Sequence, residues 1–271
     1  MNSTRRPRFN TAHTLTFLLA IAFALGAIPV FAQAAPERMP DKDVKRLIDQ
    51  VDEARDKFEG NLDNQLKNSK FKGPNGETNV AVVLQDYQDN TKKLQSRFNE
   101  EYAAGPEVAT VLRQGAAIHT FMQGTSSVGK GRKEWDLQAA SLTHLAAAYG
   151  TTFPMMDGAT AQRMNDKETA AAAAAVATAA DRFKNDLDNV KTLPKPDKDA
   201  AKKDVEALIK QAEAVKDHTS DGKASTAEVQ RLVEQAARVQ TFVGAHEMPT
   251  TNWQLVQASL AKVQRAFRLT K

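Results

Sequence analysis

The sequence predicts an all-α fold, built as two tandem antiparallel four-helix bundle units. Three observations predict it. Trp135-Asp-Leu-Gln-Ala-Ala-Ser-Leu-Thr-His-Leu-Ala-Ala-Ala-Tyr149 and Trp253-Gln-Leu-Val-Gln-Ala-Ser-Leu-Ala-Lys-Val-Gln-Arg-Ala-Phe267 repeat one pattern. Trp253, Val256, Leu260, Val263 and Phe267 recur at spacings of three and four, which is one face of a helix. Clusters of Gly, Pro and Asn separate such segments, as turns do.

Walking backward from each Trp extends the match. Glu107-Val108 through Phe121 pairs with Glu228-Val229 through Phe242, and His119 falls opposite Gln240. Leu84, Tyr87 and Leu94 pair with Val205, Leu208 and Val215. Asp56-Lys-Phe58 pairs with Asp181-Arg-Phe183. Four helical segments thus follow in the same order twice, which reads as an internal duplication. The expected units are 35–157 and 158–271. An amphipathic helix must be covered on its apolar face, so each Trp is read as a core anchor.

Residues 1–34 read as a secretory leader. Arg5, Arg6 and Arg8 form its basic start and Leu15 to Ala32 its apolar run. Ala32-Gln33-Ala34 is an A-x-A cleavage site, with Ala35 the expected mature start. The competing reading keeps the leader as a membrane anchor. The expected location is outside the cytoplasm, periplasmic or extracellular.

The chain has no cysteine, which rules out disulfides, thiol catalysis and c-type haem. Its formal charge is +4. Removing the three leader arginines from 37 basic residues leaves 34 against 33 acidic ones. A nucleic-acid or anionic-membrane partner needs a strong basic footprint, which that balance does not supply.

Taken in order, the first helix is expected over Asp41 to Lys67, where Val44, Leu47, Ile48, Val51, Phe58 and Leu62 keep helical spacing. Lys72-Gly-Pro-Asn-Gly76 breaks it. Thr78 or Asn75 is placed to cap a second helix reaching Tyr102. Pro106 suits the first turn of a third. After the Trp135 helix, Phe153-Pro154 and Asp157-Gly158 join the units, and the next helix is expected from near Ala159. Its run of alanines favours helix and leaves a thin side-chain layer for close neighbours. Leu193-Pro-Lys-Pro196 ends it, and a sixth helix follows over Ala200 to Lys216.

Three motifs carry possible chemistry. Gly124-Thr-Ser-Ser-Val-Gly129-Lys130 matches a phosphate-binding loop, but it follows a helix and has Gly131 where magnesium needs Ser or Thr. Residues 217–228 have the spacing of a calcium loop. Asp217, Thr219, Asp221, the Lys223 carbonyl, Ser225 and Glu228 would be the oxygen ligands, with Gly222 at the sharp turn. Ser225-Thr-Ala-Glu228 equally reads as a capping box for the next helix. His119 with Met122 is a conceivable haem or copper pair in a bundle.

The Trp135…Ser141-Leu142 and Trp253…Ser259-Leu260 signatures, with Lys57-Phe58 and Arg182-Phe183 before them, resemble exported bacterial proteins with duplicated helical-bundle repeats. The resemblance spans most of 35–271 and implies no activity. The expected function is a non-enzymatic envelope protein that binds another protein or serves a structural role. The alternative is a small-ligand sensor or carrier. No cofactor is expected apart from calcium at the 217–228 loop. Nucleic acid and strong membrane binding after leader removal are not expected.

Overall fold

The computed structural model describes residues 37–73, 76–125, 129, 131–246 and 248–269. The leader and part of the Gly124–Lys130 motif lie outside the described residues. The protein is mostly helical, with one small two-stranded hairpin. In chain order the elements are α1 (Asp41–Asn61), α2 (Asn64–Lys67), β1 (Lys70–Gly73), β2 (Gly76–Asn79), α3 (Val80–Arg97), α4 (Gly105–Gly124), α5 (Gly131–Ala148), α6 (Asp166–Asn189), α7 (Lys195–Ser220), α8 (Thr226–Ala245) and α9 (Thr251–Ala266).

Helix α1 exists because its apolar residues share a face: Val44, Leu47, Ile48, Val51 and Phe58 are all buried. It stops at Asn61, short of the expected Lys67, because Leu62 and Asp63 are extended. The Asp63 side chain then accepts from the Gln65 N–H and opens the one-turn α2. The expected break at Lys72–Gly76 is an antiparallel hairpin, pairing Phe71 with Thr78. Phe71 is buried, with its ring 5.5 Å from that of Phe121. Helix α3 begins at Val80 without a side-chain cap and ends at Arg97 rather than Tyr102.

Ala104 turns the chain into α4 in a left-handed conformation, φ 51°, and Pro106 sits in the first turn as expected. Gly105 is required there, since a Cβ would lie 2.6 Å from the Ala161 carbonyl oxygen. Helix α6 starts at Asp166, later than expected, because Asn165 and Glu168 form a capping box. Helix α7 starts at Lys195, with Pro196 in its first turn, and runs on to Ser220. Pro196 therefore opens a helix instead of ending one.

Packing falls into two rings. Helix α1 packs on α3 and α5, and α4 packs on the same two. Helix α6 packs on α7 and α9, and α8 packs on that second pair. One hydrophobic cluster draws its buried residues from Val44 through Ala161. A second draws them from Ala172 through Phe267. The alanine face of α6 is buried at Ala172, Ala173, Ala177, Ala179 and Ala180, which brings α7 and α9 close to its backbone.

Both Trp side chains are core anchors. Trp135 is fully buried, its ring 4.9 Å from Phe58, and its Nε1–H donates to His119 Nδ1 at 3.0 Å. Trp253 lies 5.4 Å from Phe183, and its Nε1–H donates to the Gln240 side-chain oxygen. Each indole thus buries its apolar body and still places its one donor. Trp253→Ala should lower unfolding free energy by about 3–5 kcal/mol. Urea denaturation followed by circular dichroism measures this, and a loss below ~1 kcal/mol would show that Trp253 does not anchor the second cluster.

Candidate functional site

The most organised polar site lies where the N-terminal ends of α1 and α6 meet. Two short segments build it: Arg38-Met-Pro-Asp41-Lys42 and Arg163-Met-Asn-Asp166-Lys167. They exchange the same bonds. Arg38 Nη1 donates to Asp166 Oδ1 at 2.5 Å, and Arg163 Nη2 donates to Asp41 Oδ1. Arg38 Nη2 donates to the Met164 carbonyl at 3.0 Å, and Arg163 Nη1 to the Met39 carbonyl at 3.1 Å. The Asp41 N–H donates to Asp166 Oδ2 at 2.9 Å, and the Asp166 N–H to Asp41 Oδ2 at 2.8 Å.

Each Asp therefore satisfies a first-turn N–H of the other helix and sets its negative charge at that helix's positive end. Pro40 precedes α1 and has no side-chain cap to offer, so α1 depends on Asp166 for this. The arginines are packed on their flat faces too. Arg38 lies 5.7 Å from the centroid of Phe267, and Arg163 lies 6.0 Å from that of Tyr149. The Arg38 and Arg163 side chains are only 7% and 5% exposed. Burial pushes the Asp41 carboxyl up, against the pull of Arg163 and the Asp166 N–H. Burial likewise pushes the Arg163 guanidinium down, against the pull of Asp41.

A cleft of about 330 Å³ adjoins this clasp, between the ends of α5 and α9. Met39, Met164 and Phe267 supply apolar lining, and His144, Arg265 and Arg268 supply polar groups. Arg268 follows α9 at φ 55°. Its Nη2 donates to the Ala148 carbonyl at 2.8 Å, at the C-terminal end of α5. Desolvation pushes its guanidinium down.

A second polar cluster is buried in the first core. Arg55 is fully buried, with Asp52 at 2.5 Å, Asp56 at 3.0 Å and Glu59 at 3.7 Å. Nearby, Gln138 Nε2 donates to the buried Tyr87 hydroxyl at 2.5 Å, and Thr91 Oγ1 donates to Asp52 at 3.3 Å. Burial raises both the Tyr87 hydroxyl and the Glu59 carboxyl above their usual ranges. In the sequence match, Arg55, Tyr87, Thr91 and Gln138 face Ala180, Leu208, Ala212 and Val256, all buried in the second core. Among the described residues, the ion cluster stands in the first core alone.

The six calcium-loop residues are distributed differently from the expected loop. Asp217 and Thr219 lie in the last turn of α7, which shortens the loop to the residues after Ser220. Thr219 is fully buried, Asp217 pairs with Lys216, and Asp221 pairs with the Lys223 ammonium. Glu228 is held by the Ser225 N–H at 2.9 Å and by His218 Nδ1 at 2.5 Å, and Ser225 accepts from the Glu228 N–H at 3.3 Å. The capping box is formed. Among the described residues, no group of three or more His, Asp and Glu side chains stands in a metal-holding arrangement. His119 is occupied by Trp135 at one ring nitrogen and lies 2.8 Å from Gln123 at the other, while Met122 is fully buried.

Family models, curated proteins and solved structures give no match to this chain. Among the described residues no helix is long and apolar enough to cross a membrane.

The clasp is visible in the sequence once Arg-Met-x-Asp-Lys is seen twice. It is short, polar and outside any periodic segment, so hydrophobic spacing does not point to it. Removing one member leaves a buried charge without its partner, which costs about 3–5 kcal/mol. Asp41→Asn and Arg163→Gln should each lose stability on that scale, and the double variant should lose less than their sum. Additive losses in a urea double-mutant cycle would rule out direct coupling.

Glu228 predicts a pH dependence. Burial works to raise its carboxyl, but the Ser225 N–H and His218 outweigh it and hold it below its usual 4.5. A lowered native value contributes stability above the unfolded value, and that contribution is lost as pH falls through the native one. Stability should therefore decline below pH 4.5, and Glu228→Gln should flatten that part of the profile. Thermal melts of both proteins between neutral and acidic pH measure the difference, and parallel profiles would contradict it.

Proposed function

We propose that this chain is an exported, non-enzymatic binding protein of the cell envelope, made of two tandem antiparallel four-helix units that arose by internal duplication. Several features support the duplication. The helix pairings α1–α3, α3–α4, α4–α5 and α1–α5 have counterparts in α6–α7, α7–α8, α8–α9 and α6–α9. Phe58, Trp135 and His119 make the contacts that Phe183, Trp253 and Gln240 make in the second cluster. The clasp adds a third matched set of bonds.

The observation that carries the binding reading is a pair of exposed leucines. Leu137 is 53% exposed and Leu255 is 46% exposed. Both stand two residues after a Trp, on α5 and α9. A single exposed apolar residue needs no explanation. Two at matched positions present one feature twice on a single chain, which suits a partner that engages both and gains avidity. That partner is another envelope protein.

The test uses the full chain, tagged and recovered from its own envelope fraction. Leu137→Glu with Leu255→Glu should reduce partner capture roughly tenfold, and each single change should reduce it less. Melting temperatures should stay within a degree or two of the parent, because both positions are exposed. Full capture by the double variant would refute this surface as the binding site.

A further inference from the structure

We propose that the cleft between the ends of α5 and α9 binds a small monocarboxylate with an apolar body. Its volume, about 330 Å³, falls in the range of small-molecule sites. Its lining joins two chemistries. Met39, Met164, Ala147 and Ala266 offer an apolar surface, and the two Met side chains refit easily around a guest. Arg265, Arg268 and His144 offer hydrogen-bond donors. Arg38 and Arg163 also border the cleft, but Asp166 and Asp41 already meet their charge. Glu37 is the one carboxylate on the lining. It is exposed to solvent.

Arg268 is the strongest pointer. It occupies the left-handed region at φ 55°, where glycine is the unstrained choice. The sequence match sets it opposite Gly150, which has φ 70° and ends the Trp135 helix. One copy thus uses the glycine and the other keeps a large cationic side chain in a strained conformation. The φ itself belongs to the left-handed stop of α9, with the Leu269 N–H on the Gln264 carbonyl at 2.9 Å, so the pointer is that an arginine is kept at this place, with a task for its side chain. Part of that task is structural: the guanidinium packs over Gly150 and donates once to Ala148. A guanidinium has five N–H donors in a planar fork. The remaining donors suit the two oxygens of a carboxylate. The apolar lining selects an organic acid over a free inorganic anion, whose hydration it cannot replace.

The test is calorimetric titration of the full chain with hexanoate, 1-hexanol and inorganic phosphate. Hexanoate should bind with one-to-one saturation below about 10 mM, roughly tenfold tighter than either control. Arg268→Gln should weaken hexanoate binding roughly tenfold. Arg268 also holds Ala148, so two further variants at exposed positions guard against loss of fold: Arg265→Gln should weaken binding, and Ala147→Phe should block it by filling the cleft. Absence of saturation, equal binding of 1-hexanol or phosphate, or hexanoate binding unchanged by Ala147→Phe would each overturn the proposal.

Discussion

Two guanidinium groups and two carboxylates are withdrawn from most of their water where α1 and α6 begin. Groups of this kind cannot be buried singly, because an unpaired charge costs several kcal/mol. They can be buried when each charge finds an opposite charge and the first main-chain N–H of each helix finds an acceptor. The crossed arrangement meets that demand: each Asp takes an arginine from the opposite segment and a main-chain N–H from the opposite helix. Much of the remaining geometry follows. The starts of α1 and α6 are held against one another. The aromatic residues that end the two Trp helices become the surfaces on which the arginines lie. The cleft beside Arg268 exists because those helix ends converge there.

The two cores solve the same packing problem with different materials. The second uses alanine on α6 and aliphatic residues around it, so its helices approach closely, and the buried Gln235 amide is met by the Asp204 carbonyl. The first admits a whole arginine, together with Tyr87, Thr91 and Gln138. Arg55 Nε and the Gln138 carbonyl oxygen have no hydrogen-bond partner there. A buried polar network constrains which neighbours fit and in which orientation, whereas an alanine layer tolerates sliding. The first core is therefore the more exacting of the two about its side-chain identities.

Most helices were legible because burial on a helix leaves a spacing of three and four. Val44 to Phe58, Val229 to Val243 and Trp253 to Phe267 all lie where that spacing places them. The helix ends were less legible. Asp217-His-Thr-Ser220 is composed like a loop, yet burial of Thr219 keeps it in α7, which is tertiary packing overriding local preference. Asn165 and Glu168 cap α6 by the same pattern as Ser225 and Glu228, but Asn at the first position is the less familiar form of the box. The clasp and the cleft were not legible from spacing at all. They depend on segments far apart in the chain, and polar side chains carry no periodic signature of what they will meet.

Bonds that run from i to j and again from the counterpart of j to the counterpart of i are the mark of an isologous contact between two like subunits. Here both sides belong to one chain. A half-length chain with a single Arg-Met-x-Asp-Lys segment could make this contact only by meeting a second copy of itself, and would lose it on dilution. Covalent linkage replaces that dependence with a fixed effective concentration. The clasp should therefore stay closed however scarce the protein is.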